Sequence, residues 1–461
     1  MPFCPSLQLR PAIVAIALGG LVWGNAAAQN STAADQRIEL MGSPATAAVS
    51  AAIRRLPMQE DVPLPNDPLS DQQWSFMSSE VYRGAADIFN VQHNAQRAAT
   101  IVAVVDSGLR LDHEDYFTLP GYDFIKDPAV ANDGDGRDAD ASDPGDWVSE
   151  EDLRGELNDT CKLTQSKWHG TAIAGVIGAQ TANNIGIAGA ARDVQLLPVR
   201  VTGKCGGYVS DLIDGIRWSA GLPVAGVPDN LTPARVINLS VGFAGTCSVA
   251  LQQAIDDAVK AGAILVTAAT NYGVNLDESP HAPASCANVL TIGANLRDGS
   301  LAPYSSVGSQ VFLMGPGGNS HDGIISTDNN GRQSPDIDSS YGYHYGTSLA
   351  AAHVSATLAT LLSVSPQLTN AQLGAALQDA AIPTTERDCA GGLCGAGLLN
   401  TQRSVQLLID GELPVVDTAA QPPVAAATSS SKDAFAGSTG ITLAILLLLR
   451  LPYRRRATGH V

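Results

Sequence analysis

Positive charge is scarce in this sequence. Lys and Arg together number 27 against 45 Asp and Glu, a formal net charge of −18 over 461 residues. Such a surface repels polyanions, which excludes nucleic acid as a partner of the main body and argues against an anionic membrane face. Long apolar runs are also missing. The stretch Ala12–Val22 and the run that starts at Ile441 both fall short of the roughly 20 residues that a full membrane span requires. No internal repeat is visible. Cysteine is sparse as well, at seven residues.

What is present organises the chain into five parts. Arg10, the apolar stretch after it and the small residues Ala26-Ala27-Ala28 read as a secretory signal over residues 1–28. Cys4 leaves with it. The other six, Cys161, Cys205, Cys247, Cys286, Cys389 and Cys394, suit three disulfides in an oxidising compartment, with 15 possible pairings. Residues 29–62 read as a short pro-segment or flexible arm, with Arg54-Arg55 as a candidate nick site. Residues 63–408 carry the pattern of a compact α/β domain. A Pro-, Ala- and Ser-rich linker covers 409–436, and an apolar segment ending in Arg454-Arg455-Arg456 closes the chain at 437–461.

Within the domain, apolar β-rich runs such as "TIVAVVDSG", "VQLLPVRV", "ARVINLSVG", "GAILVTAAT" and "NVLTIGA" alternate with segments of helical spacing. Buried strands separated by helices indicate a parallel sheet covered on both faces, with reactive groups gathered at the carboxyl ends of the strands. Three chemical residues stand at such places: Asp106 closes the first of these runs, His169 opens a helix in "WHGTAIAGVIGA", and Ser348 opens another in "YGTSLAAAHVSA". Alone, each has a bland reading; Ser348 in particular suits a helix cap. Together they supply what acyl transfer needs. A serine needs an imidazole to take its proton, and the imidazole needs a carboxylate to fix its tautomer.

The three motifs, in the order Asp, His, Ser, resemble those of the subtilisin-like serine proteases, the subtilases. The likeness runs from about residue 65 to Leu399. It implies a three-layer α/β/α fold around a mostly parallel sheet. It implies catalysis by Asp106, His169 and Ser348, with Asn271 of "TAATNYG" donating to the oxyanion. By the same resemblance Gly206 and Gly207 of "KCGGYVSD" lie on an edge strand that pairs with extended substrate. Ser240, Val241 and Gly242, with Ala269 and Thr270, wall the primary pocket. His281 is expected either near the pocket floor or on a surface loop. Thr270 replaces a usual Gly, which would narrow the pocket rim. Ala172, Leu349 and Ala352 are further departures that remove no chemical group.

The loop "ANDGDGRDADASDPGDW" gathers six aspartates. Asp133, Asp135 and Asp138, with intervening glycines, suit a hard cation although EF-hand spacing is not met. Related proteases bind structural calcium there and at a second place, where Asp115 and Asn184 would be ligands. The resemblance also implies the pairings Cys161–Cys205, Cys247–Cys286 and Cys389–Cys394. The C-terminal segment resembles a GlyGly-CTERM sorting tail, which implies membrane contact and removal by a sorting protease, or else a plain anchor. The expected activity is that of an exported, monomeric endopeptidase acting on proteins and peptides at the cell surface or in the medium. The alternative is an inactive interaction protein on the same scaffold. A lipase-type hydrolase would need a Gly-x-Ser-x-Gly elbow and the order Ser, Asp, His, and both are contradicted.

Overall fold

A computed structural model describes residues 37–40, 65–76, 99–155, 157, 161–384 and 387–412. All of them fall in a unit spanning Met1–Thr418; a second unit spans Ala419–Val461. The signal, the Arg54-Arg55 site, the linker beyond residue 412 and the C-terminal tail lie outside the described residues, as does all of the pro-segment except residues 37–40.

The apolar runs form the expected parallel sheet. Its strands are β2 (Thr100–Asp106), β3 (Tyr122–Asp123), β4 (Val194–Arg200), β7 (Val236–Leu239), β9 (Ile264–Ala268), β11 (Leu290–Asn295) and β12 (Val311–Pro316). They lie in the order β12-β11-β9-β7-β2-β4-β3, and every pairing between neighbours is parallel. Side chains alternate across each strand. Val102, Val104, Leu196, Val236 and Val266 enter one apolar cluster, while Ala103, Val105, Leu197, Ile237 and Leu265 enter the other. After the short helix α1 (Pro128–Ala131), the first face is covered by α2 (His169–Gly178), α5 (Thr347–Val364), α6 (Asn370–Ala380) and α7 (Thr401–Ile409). The second carries α3 (Val209–Ser219) and α4 (Val249–Lys260). This is the three-layer α/β/α architecture.

Two smaller sheets flank it. One is the hairpin of β13 (Ile324–Asp328) and β14 (Ser340–His344). The other contains β1 (Arg37–Leu40), β5 (Thr202–Gly203), β6 (Gly206–Tyr208), β8 (Val241–Ala244) and β10 (His281–Ala282), in the order β10-β8-β1-β6-β5. The three disulfides join the pairs that the resemblance implies: Cys161–Cys205, Cys247–Cys286 and Cys389–Cys394.

Helix α5 is the one described helix long and apolar enough to cross a membrane, and it is the buried core helix of the domain. Its alanines favour the helix and its leucines fill the core; Pro366 follows shortly after its end. His353 sits within it, 2% exposed. Its Nδ1 is 2.7 Å from Leu349 O and its Nε2 2.9 Å from Ser75 Oγ. Burial pushes its pKa down to about 4. The folded chain therefore keeps this imidazole neutral while the unfolded chain protonates it below its ordinary value of about 6.5. Stability from this group is present above pH 6.5 and is lost as pH falls towards 4. Relative to His353→Gln, wild type is expected to lose about 1–3 kcal/mol of unfolding free energy between pH 7 and 4.5. Parallel urea curves for the two proteins would contradict this.

Candidate active site

The carboxyl end of β2 and the amino ends of α2 and α5 converge. Asp106 is the last residue of β2 and is fully buried. His169 is the first residue of α2, and its Nδ1 lies 2.8 Å from Asp106 Oδ1. Two glycines permit this approach. Gly108 has φ +89°, and a Cβ there would sit 2.8 Å from Ala141 O; a Cβ at Gly170 would sit 2.1 Å from Gly108 O. The helix start is thus seated directly on the strand end, with the Gly170 N–H donating to Ser107 Oγ at 3.1 Å.

Ser348 stands at the second position of α5, and the cap position is taken by Gly346 without a side-chain bond. The capping role expected of Ser348 is therefore absent. Its Oγ is buried without a hydrogen-bond partner among the described residues, as are His169 Nε2 and Asp106 Oδ2. Buried polar atoms are nearly always paired, so three orphans on three such side chains mark a place built for something else to bind.

Asn271 follows the end of β9. Its Oδ1 accepts from both the Thr347 N–H and the Thr347 hydroxyl, each at 2.9 Å, which fixes the amide beside Ser348. The preceding Thr270 adopts φ +81°, costly for a β-branched residue by about 1–3 kcal/mol. Its hydroxyl is held by Ser306 Oγ at 2.8 Å, and its carbonyl accepts from the Ser306 N–H at 3.1 Å. The side chain is buried in this contact. Ala269 is buried with Leu276, Ala284 and Val311. Ser240 accepts from Asn238 Nδ2 at 2.9 Å and donates to Ser348 O at 3.4 Å, tying the start of β8 to the Ser348 backbone. His281 pairs with Ala244 as part of β10 and is buried, not on a surface loop.

Gly206, Gly207, Val241 and Gly242 do line one strip, and the chain itself occupies it. Strand β1 lies between β6 and β8, antiparallel to both: Arg37 faces Tyr208, Ile38 faces Gly207, Glu39 faces Gly242 and Leu40 faces Val241. The Ala- and Ser-rich composition around this segment gave no sign of a strand; only the short apolar-charged alternation Arg-Ile-Glu-Leu could have signalled one.

The acidic loop is arranged otherwise than expected. Arg200, at the end of β4, is wholly buried. Its guanidinium contacts Asp123 and Asp133 and donates to Ala131 O, while its Nε donates to Ser107 O at 3.2 Å. Asp143 Oδ2 accepts from Ser107 Oγ at 2.8 Å, and burial pushes Asp143 up to about 7. Asp135 is exposed, and Asp138 accepts from the Asp140 N–H at 2.8 Å. Asp133, Asp135 and Asp138 do not converge as a ligand set, and no group of three or more His, Cys, Asp or Glu among the described residues is placed to hold a metal. The loop folds around an arginine, so it does not fit a calcium ion.

The second place differs. Asp115 and Asp67 are both buried beside the 181–187 loop and form no ion pair among the described residues. Burial pushes Asp115 up to about 6. Two buried carboxylates without a counter-charge suit a hard cation, and each of their four oxygens already accepts one N–H and keeps one further lone pair for it. The side chain that reaches Asp115 is that of Asn183, whose Nδ2 donates to Asp115 Oδ1 at 2.9 Å while its Oδ1 accepts from the Ile185 N–H at 2.8 Å; Asn184 has φ +62°.

A parallel α/β/α scaffold with an Asp–His contact and a helix-borne serine in that chain order defines the subtilisin-like class of fold and site. The comparison with known families agrees. A model of the subtilase family, Peptidase_S8, matches residues 97–410, and the chain belongs to that family. It is 40% identical over 352 residues to an "Extracellular protease" of Xanthomonas campestris pv. campestris, covering 75% of this chain and 57% of that one. It is 42% identical over 325 residues to an "Extracellular basic protease" of Dichelobacter nodosus, covering 70% and 52%. The chain thus spans little more than half the length of these relatives. Among solved structures, a protease from Pseudoalteromonas arctica PAMC 21717 superimposes with a TM-score of 0.68 at 37% identity, covering 75% of this chain and 99% of that one.

Proposed function

We propose that this chain is an exported serine endopeptidase that cleaves proteins and peptides through an acyl-enzyme. The observation that carries the reading is the Asp106–His169 contact together with a His169 Nε2 and a Ser348 hydroxyl that are both buried and unpartnered among the described residues. Ser348 Oγ attacks the scissile carbonyl while His169 Nε2 takes its proton; His169 then protonates the leaving amine, and water repeats the sequence to free the acid. Asp106 holds the Nδ1–H tautomer and supports the imidazolium. The oxyanion forms at the amino end of α5, where the helix dipole favours it, with the Ser348 N–H and the Asn271 amide as donors. Nothing favours the inactive-scaffold alternative. The names of the relatives support export. A fluorophosphonate probe tests the reading: stoichiometric labelling at Ser348 is expected, and a folded chain that neither labels nor cleaves casein would overturn it.

Asn271→Ala is expected to lower kcat by about 10²–10³ with little change in KM, a magnitude that comes from subtilisin itself. An equal effect on KM would assign Asn271 to ground-state binding instead.

We further propose that a structural calcium ion is held at Asp115, and that it takes no part in the chemistry. EGTA is expected to lower the Tm of wild type and to leave the Tm of Asp115→Asn unmoved. A wild-type Tm indifferent to EGTA would remove the ion from the account.

A further inference from the structure

The strand lying in the cleft displays how the cleft reads side chains. β1 runs antiparallel to β8, so its carboxyl end heads towards Ser240, whose hydroxyl touches the Ser348 backbone. An extended substrate that keeps this register has its next residue opposite Ser240, nearest the nucleophile. Counted back from that residue as the first, Leu40 is the second, Glu39 the third, Ile38 the fourth and Arg37 the fifth. Extended peptides gain affinity from main-chain pairing and specificity from the sockets that take alternate side chains.

Ile38 is completely buried, in the apolar cluster that also holds Val201, Val209 and Val241. The Arg37 environment is of the opposite kind. Its guanidinium carbon lies 4.5 Å from the centroid of the Tyr208 ring, and its Nη2 donates to Tyr208 Oη at 2.8 Å. Tyr208 Oη in turn donates to Asp127 Oδ2 at 3.1 Å, and Asp127 is fixed because its other oxygen accepts the Ala129 N–H at 3.0 Å and caps α1. An aromatic face backed by a rigid carboxylate is a socket for a cation. Tyr208 ends strand β6 and opens α3, so the socket is fixed to the cleft wall on both sides.

We propose that Tyr208 and Asp127 form a substrate subsite for a basic side chain, Arg or Lys, five residues from the attacked carbonyl on the amino side. This rests on the endopeptidase reading and adds to it a preference that the net charge of −18 makes understandable, since cationic peptides are drawn to the surface as a whole.

The test uses internally quenched peptides containing Arg-Ile-Glu-Leu-Met-Gly, Ala-Ile-Glu-Leu-Met-Gly and Glu-Ile-Glu-Leu-Met-Gly with the purified, labelling-competent protein. The Arg peptide is expected to exceed the Ala peptide by about tenfold in kcat/KM, mostly through KM, and to exceed the Glu peptide by more. The Arg-to-Ala ratio, which is internal to each protein and independent of its active fraction, is expected to fall to about two or less in Tyr208→Ala and Asp127→Asn, with Tyr208→Phe between. Equal cleavage of the Arg and Ala peptides by wild type overturns the subsite. So does cleavage of casein with none of the three peptides cut, or an Arg preference that survives both variants. Absence of fluorophosphonate labelling together with absence of any hydrolysis would instead overturn the endopeptidase reading beneath it.

Discussion

Ser348→Ala is expected to abolish casein hydrolysis and fluorophosphonate labelling together, with kcat reduced by about 10⁶. That magnitude is known from subtilisin itself, where serine, histidine and aspartate act as one unit. The same substitution is expected to leave the Tm unchanged or slightly raised. The Ser348 hydroxyl is buried and unpartnered, so removing it relieves a desolvated polar group and breaks no bond, while alanine suits the start of a helix already rich in alanine. The opposed directions make the test sharp. A variant that loses activity and also melts early would mean that the hydroxyl supports the fold. Hydrolysis surviving at more than about a thousandth of the wild-type rate would assign the nucleophile to another residue.

Arg200→Met is expected to cost about 3–5 kcal/mol of unfolding free energy. Methionine fills much of the volume, but it leaves Asp123 buried with its cation gone and returns Asp133 to solvent. It also removes the donor to Ser107 O, one residue beyond Asp106. Arg200→Lys is expected to fall between wild type and Arg200→Met, because an ammonium keeps the charge but cannot hold Asp123, Asp133, Ala131 O and Ser107 O in one plane. Denaturant midpoints of the three proteins decide it. If Arg200→Met unfolds with the wild-type midpoint, the acidic loop is not organised by this guanidinium.

The sequence was legible where local pattern and chemistry coincide. Continuous apolar runs ending in Asp or Asn told of a parallel sheet because only a strand covered on both faces is apolar on both faces. Asp106, His169 and Ser348 could be placed because each sits where a strand or helix ends, and that position has a mechanical reason. Arg200 was hidden for the complementary reason. It terminates an apolar strand like any charged residue, and only the folded chain shows that the loop some 60 residues earlier wraps around it. The acidic loop invited a metal because sequence records ligands but not the counter-charge that has already claimed them. Thr347 carries no visible role in its motif, since a hydroxyl that clamps Asn271 Oδ1 is indistinguishable in sequence from a cap. Asn238 lies within "ARVINLSVG" with nothing local to mark its bond to Ser240, and Ser306 lies in no motif. Strand β1 was missed because four residues carry little periodicity, and its strand character comes from the two edges it joins.

Strand β1 is joined to the strip it fills by the same chain that carries Ser348. The link between Leu40 and Pro65 is short, so the local concentration of the strand at the cleft is of millimolar order whatever the concentration of the protein in solution. Dilution therefore does not empty the cleft, and an added peptide must compete against that fixed value. A single cut in the link changes the terms. The strand then becomes a free peptide, its local concentration falls to that of the protein, and dilution begins to empty the cleft. Activity of the uncut chain should be independent of its concentration, whereas activity per molecule of the cut chain should rise on dilution, so one proteolytic event turns rebinding of the strand from a first-order into a second-order step.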